Sequence, residues 1–319
     1  MRRLIVVALL VLSGCTQAVE SDPTLASLRQ VDDLPLYEMT YVGDYDELAG
    51  INEKAPSPFG CSLFVASGDP ARPLFARNFD WDPNPALVLR TDPPDGHASI
   101  SIVDISYLGL NSGSNLLGDA DAQRKLLKAP LLPFDGMNER GLAVGLAADE
   151  TGRAGIDPAK PTVGSVRILR LILDQASNVD EALDVLAKYN LDFDGGPALH
   201  YLFADAAGAS AVVEFVDGQL KVERGGPPWQ ALTNFRLVGA SPEVRQADHR
   251  YATASATLQG NKGVLDWRQA MGVLQAVAQQ HTRWSVTYEL RTGKVHVVTG
   301  KRWQTVHEFS LPMTGAAVK

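Results

Sequence analysis

Apolar residues fall in short alternating or near-continuous runs separated by turn sequences, and four stretches shift to helical spacing. Runs 62–66 and 74–79 flank Gly68-Asp69-Pro70 and predict a hairpin. Candidate strands follow at 86–90 and 99–106, then at 142–148, whose small residues suit close backbone packing. Residues 163–176 place Val166, Leu169, Ile172 and Leu173 on one helical face, with Thr162 or Ser165 as caps. A second helix carries Ala182, Leu183, Leu186 and Ala187 after Asn178 or Asp180. Strands return at 199–204, 210–216, 219–223 and 231–234, helices at 243–258 and 266–279, and strands at 284–290, 294–298 and 305–311. There is no regular βα alternation, which argues against a doubly wound parallel sheet. The expected class is α+β, a four-layer αββα sandwich of two antiparallel sheets between helical layers.

The first residues break this pattern. Arg2 and Arg3 precede an apolar core at 4–12 and the ending Ser13-Gly14-Cys15, a secretory signal too short to span a membrane as a mature helix. The ending Leu12-Ser13-Gly14-Cys15 resembles the bacterial lipobox. That implies cleavage before Cys15, its lipidation, and a bacterial cell-envelope location facing the periplasm or exterior. An ordinary signal peptide cut a few residues later is the other reading. The expected organisation is a signal peptide at 1–15, an acidic tether or pro-segment at 16–60, and a single domain at 61–319. Aromatics in the tether (Tyr37, Tyr41, Tyr45) could dock it on the body. With 45% hydrophobic residues in 319, a sizeable core is available. A net charge of −8 argues against nucleic acid or an anionic membrane surface as the main partner.

Cysteine usage then narrows the chemistry. The chain has two cysteines, and lipidation of Cys15 leaves Cys61 without a disulfide partner. A lone thiol in an oxidising compartment needs either a task or burial. HExxH, a Gly-rich phosphate loop and GxSxG are all absent, and the six histidines lack metal-ligand spacing, so no metal or cofactor is expected. None of the histidines sits in a recognisable Cys/His protease context. Scission of Gly60–Cys61 offers another base: it frees an α-amine, of unperturbed pKa about 7.7–8.0, on the same residue as the thiol. Gly60 suits the leaving side because it hinders approach to its carbonyl least. The hairpin brings Arg77 and Asp80 toward the thiol end. The bland alternatives are a buried structural cysteine and a surface ion pair.

Cys61 opening a hairpin that closes on Arg77-Asn78-Phe79-Asp80 resembles the choloylglycine hydrolase and penicillin V acylase family of N-terminal nucleophile hydrolases, also called linear amide C–N hydrolases. Phe134-Asp-Gly-Met-Asn-Glu-Arg-Gly-Leu142, Leu232-Thr-Asn234, His249-Arg250-Tyr251 and Trp284-Ser-Val-Thr-Tyr288 follow in family order. The resemblance implies that Cys61 attacks an amide carbonyl, Arg77 favours the thiolate and Asp80 holds the α-amine. It makes Asn234 an oxyanion donor and has Arg250 complete the charged network. Asn138 and Gly141 read as turn formers. One departure stands out: Ala147 occupies a position where the family usually has an oxyanion asparagine, which puts substrate specificity in doubt more than reaction class.

The expected protein is an exported, lipid-anchored amidase acting on a small N-acyl amide, in a family whose substrates include penicillin V, conjugated bile salts and N-acyl homoserine lactones. Acyl transfer on the same scaffold and a non-catalytic envelope-binding lipoprotein are the alternatives. A homo-oligomer is compatible with the sequence.

Overall fold

Runs of Val, Leu, Ile and Phe with few polar interruptions build strands that are covered on both faces, and this sets the architecture. The computed structural model describes residues 22–48, 60–82, 84–193, 196–226 and 228–314. Cys15, the leader and residues 55–59 lie outside them. The chain enters through α1 (Pro23–Ala26), then β1 (Arg29–Asp32) and β2 (Leu36–Thr40). The expected hairpin is β3 (Gly60–Ala66) and β4 (Leu74–Asp80), followed by β5 (Ala86–Thr91), β6 (Ser99–Asp104) and α2 (Ala120–Leu126). Next come β7 (Asp135–Asn138), β8 (Ala143–Ala148), β9 (Thr162–Gly164), α3 (Arg167–Gln175), α4 (Val179–Leu186) and β10 (Asn190–Asp192). The strands β11 (Leu199–Ala204), β12 (Ser210–Val216), β13 (Gln219–Arg224) and β14 (Trp229–Leu232) precede α5 (Pro242–Ala247), α6 (His249–Gly260) and α7 (Trp267–Ala276). The last strands are β15 (Thr282–Glu289), β16 (Lys294–Thr299) and β17 (His307–Ser310).

Two large sheets result. One has the order β1-β2-β5-β6-β7-β8-β11-β12-β13 and the other β14-β3-β4-β15-β16-β17. Helices α3 and α4 cover the first, α6 and α7 cover the second, and β3 packs on β8 and β11 where the sheets meet. This is the expected αββα layering. The larger sheet is mixed, because β2 and β5 run parallel. The chain leaves β2, crosses into the other sheet for the whole β3–β4 hairpin, and returns, and that long excursion permits a parallel neighbour.

Gly145 sits at the sheet–sheet contact. A Cβ there would lie 2.7 Å from Leu63 Cδ2 and 2.9 Å from Phe75 Cζ. Gly145→Ala is therefore expected to cost about 1–3 kcal/mol by overpacking. Chemical denaturation checks this, and an unchanged midpoint would mean the sheets separate freely at this point.

Local differences from the sequence reading have identifiable causes. Thr162 and Val163 belong to β9, which pairs with β10, so α3 starts later and neither Thr162 nor Ser165 caps it. Asn178 does cap α4, accepting from Glu181 N. The expected helix at 243–258 is two helices, because Asp248 leaves the helical conformation (ψ 109°) to cap α6 through Tyr251 N. Capping competes with helix continuity here.

Residues 22–48 pack on the body. Leu36 and Met39 are fully buried, and Tyr45 Oη donates to Asp174 Oδ1 at 2.9 Å. Asp32 accepts from Thr299 Oγ1 at 2.7 Å and pairs with His307 Nε2 at 2.6 Å. Arg283 Nη2 donates to the carbonyls of Leu34 (3.3 Å) and Pro35 (2.7 Å).

Candidate active site

The hairpin register puts Cys61 opposite Phe79, Leu63 opposite Arg77 and Gly60 opposite Asp80. Cys61 and Arg77, both fully buried, therefore lie diagonally across the ladder on one face of the sheet. Arg77 Nη2 donates to Cys61 Sγ at 3.0 Å. Burial pushes the thiol up to about 11, with the Arg77 guanidinium pulling against it and the Asp80 carboxylate adding to the rise.

Arg77 is itself held. Its Nη1 donates to Phe134 O and lies 3.0 Å from Asp135 Oδ2. Trp284 Nε1 also donates to Asp135 Oδ2 at 3.2 Å, and Tyr288 Oη donates to Oδ1. Burial raises the Asp135 pKa, and Arg77, Tyr288 and Trp284 oppose that rise. Phe79 stacks on Trp284 with ring centroids 4.1 Å apart. Aromatic walls thus keep the guanidinium out of water, where its influence on the thiol is strongest.

Asp80 is fully buried, accepting from Thr282 Oγ1 at 2.5 Å and Gln279 Nε2 at 2.7 Å. Gly60 lies against it: a Cβ at Gly60 would meet Gln279 Nε2 and would sit 3.2 Å from Asp80 Oδ2. The loop after β14 brings in Asn234, whose Oδ1 accepts from the backbone N of Cys61 at 2.7 Å. Arg250, in the first turn of α6, donates from Nη1 to Cys61 O at 2.8 Å and to Asn234 Oδ1 at 3.0 Å. It also lies 3.7 Å from Asp80 Oδ2. Cys61, Arg77, Asp80, Asn234 and Arg250 therefore converge on one point, although 189 positions separate the first and last. The Gly60–Cys61 bond is intact in this structure.

One detail differs from the sequence reading. Asn234 uses Nδ2 to donate to Ala148 O at 3.0 Å, so an oxyanion role asks for the other N–H of the same group. Ala147 is buried in β8, paired with His200, and brings no side-chain donor. The Asp135–Arg77 contact escaped the sequence reading, as did Gln279 and Thr282 at Asp80. The signal for Asp135 was an acid inside a stretch otherwise suited to a buried strand. Asn138 is a turn former as expected: Oδ1 accepts from Arg140 N and Leu142 N, and Gly141 has φ +81°.

Comparison with known proteins places this geometry in context. A family model described as acyl-coenzyme A:6-aminopenicillanic acid acyl-transferase matches residues 133–234. Penicillin V acylase of Pectobacterium atrosepticum is 26% identical over 187 residues, which cover 54% of this chain and 49% of that protein. The chain thus spans about half the length of the curated relative it matches. Among solved structures, a variant of the conjugated bile acid hydrolase of Clostridium perfringens aligns at TM-score 0.56 and 16% identity. That alignment covers 79% of this chain and 92% of the other. Penicillin V acylase of Agrobacterium tumefaciens aligns at TM-score 0.55 and 18% identity, covering 80% and 87%. At those identities the structural likeness speaks for the fold.

Proposed function

We propose that the chain is a member of the choloylglycine hydrolase and penicillin V acylase superfamily of N-terminal nucleophile hydrolases, to which the family model and the curated relative point, and that it is a cysteine amidase that cleaves a linear C–N amide of an N-acyl compound. One observation carries the reading. Each polar atom of Cys61 is engaged by a side chain from elsewhere in the chain: N by Asn234, Sγ by Arg77 and O by Arg250. A structural cysteine requires none of these.

In the intact chain, attack of Cys61 Sγ on the Gly60 carbonyl carbon breaks the Gly60–Cys61 peptide bond and forms a thioester. Water then cleaves the thioester, leaving Gly60 with a carboxylate and Cys61 with a free amine. In the mature enzyme that amine takes the thiol proton, with Asp80 holding it nearby and Arg77 stabilising the thiolate. The thiolate attacks the substrate carbonyl, Asn234 stabilises the oxyanion, and the ammonium returns its proton to the leaving nitrogen. Water, activated by the freed amine, releases the acid from the acyl-enzyme. Penicillin V and conjugated bile salts, named for the relatives, and N-acyl homoserine lactones are the substrates to assay first.

N-terminal sequencing and intact mass test the reading together with acid release from these amides. Mature protein beginning at Cys61 is expected. A chain that stays uncut and turns over none of them would refute it. Asn234→Ala is expected to lower kcat about 10²–10³-fold, read by steady-state kinetics; an unchanged kcat would remove Asn234 from the mechanism. Acyl transfer is a second reading, favoured by the acyl-transferase description of the matched family model. An added amine would then capture the acyl group in place of water, and the product ratio separates the two. The sequence of the leader supports export and anchoring through Cys15, which Cys15→Ala tests by detergent-phase partitioning.

A further inference from the structure

Behind the site, two fully buried ionisable side chains stand in otherwise apolar strands: His200 on β11 and Glu214 on β12. They lie 3.0 Å apart, His200 Nδ1 to Glu214 Oε1. The other ring nitrogen, Nε2, is 2.7 Å from the carbonyl oxygen of Thr233. Glu214 accepts from Leu237 N through Oε1 and from Val238 N through Oε2, both at 2.7 Å. Residues 233–238 form the loop that follows β14 and carries Asn234. The pair thus grips this loop at both ends. Asn234 itself touches β8, the strand beside β11, through Ala148 O.

We propose that His200 and Glu214 are positioning residues for Asn234, with His200 held as an imidazolium that clamps the 233–238 loop to the nine-stranded sheet. This rests on the amidase reading, in which the Asn234 side chain must meet a developing oxyanion. The chemistry of the ring dictates the charge state. A carboxylate and a carbonyl oxygen face its two nitrogens, both are acceptors, and only the doubly protonated ring donates to both. A neutral ring would point a lone pair at one of them. Burial acts to raise the Glu214 pKa, but the hydrogen bond and charge of His200 and the two backbone N–H groups outweigh it and hold the carboxyl below its ordinary range. Two further charged groups lie nearby. Asp149, buried, accepts from Thr151 N and Oγ1, and Arg236 on the loop donates to Thr151 O. Asp149, His200 and Glu214 bring ligand-type atoms within 4.8 Å of one another. Both Glu214 oxygens and both ring nitrogens already have hydrogen-bond partners, and of the three side chains only Asp149 Oδ2 is buried without one.

The clamp acts through geometry. A displacement of about 1 Å at a reacting group can cost on the order of 10²-fold in rate. His200→Gln is therefore expected to lower kcat about 10–100-fold with KM within about 2-fold. In an Asn234→Ala background the same substitution should change kcat less than about 2-fold, because the group it positions is gone. Glu214→Gln, which keeps the shape, provides a second variant should His200→Gln fold poorly. Ring ¹⁵N NMR of the full chain should show both His200 nitrogens protonated at pH 7, and hydrogen exchange at Leu237 and Val238 should speed up in either variant. The last two readouts need no substrate, so they decide the clamp even if no amide is turned over. Equal losses of kcat with and without Asn234, a single protonated ring nitrogen, unaltered exchange, or a stoichiometric metal ion released on acid treatment would each overturn the proposal.

Discussion

A Cys61→Ala chain keeps the residues ahead of position 61 attached and shows no amide turnover. Both losses come from one atom, since Sγ is the proposed nucleophile in the scission and in the substrate reaction. Removing a nucleophile that acts as a unit with its base costs on the order of 10⁶ in kcat in well-studied hydrolases. Fold stability should change little by comparison, because alanine keeps the strand and the backbone contacts to Asn234 and Arg250. The thiol also fixes the pH dependence. With its pKa pushed up to about 11 in the intact chain, it is held as the neutral thiol at pH 7. Mature enzyme escapes this limit only if another base takes the proton. The α-amine must be unprotonated to act, so kcat/KM should rise with pH through the amine range, about 7.7–8.0 unperturbed, and not wait until pH 11. A pH–rate profile whose rise is centred near 11 would remove the amine from the mechanism, and turnover by uncut Cys61→Ala protein would remove the thiol.

Arg77→Leu should be the most destabilising single change at the site, by about 3–5 kcal/mol, because it strands a buried carboxylate at Asp135. The sign with pH follows from Asp135. Its folded pKa already lies above the ordinary value, and without Arg77 it rises further. The native variant then binds a proton more tightly than the unfolded chain does, so its stability falls from the unfolded carboxylate pKa of about 3.9 upward, until the pH passes the raised folded pKa. The deficit relative to the unaltered protein should accordingly be larger at pH 7 than at pH 4. Adding Asp135→Asn should recover part of the stability but none of the turnover, since the thiolate still lacks its cation. Urea unfolding at the two pH values reads the first effect. An Arg77→Leu protein as stable as its parent, or an active double variant, would show that the guanidinium neither compensates Asp135 nor serves Cys61.

Much of this site was legible because its residues sit at fixed places in strongly patterned elements. The β3–β4 hairpin follows from two apolar runs about a Gly-Asp-Pro turn, and its register alone places Arg77 beside Cys61. Asn234 and Arg250 were found through resemblance; periodicity says nothing of a contact spanning 173 residues. Asp135 was hidden because an acid ahead of Gly136 looks like a turn residue until Arg77, Trp284 and Tyr288 close around it. His200 and Glu214 offered the subtler signal of single ionisable residues in apolar strands, meaningful only once those strands are paired. Within the 16–60 stretch Tyr37 and Tyr45 are buried, as docking through the aromatics asks, and Asp32 and Glu38, acids that composition alone reads as solvated, are buried against cationic partners. Helix ends shifted wherever a side chain had a competing task, as at Asp248.

The parallel β2–β5 ladder has a further consequence for a cut protein. Five residues of β2 are in register with β5, and Leu36 and Met39 are sealed in the core, so breaking the chain at Gly60 removes no contact that holds the strand. The native protein would then be two polypeptides obeying mass action: dilution would lower its unfolding midpoint, and refolding would become second order in protein. The uncut Cys61→Ala chain would unfold at a midpoint indifferent to concentration. Maturation would thus work as a one-way valve, letting the protein assemble as a single chain and making it hard to rebuild afterwards.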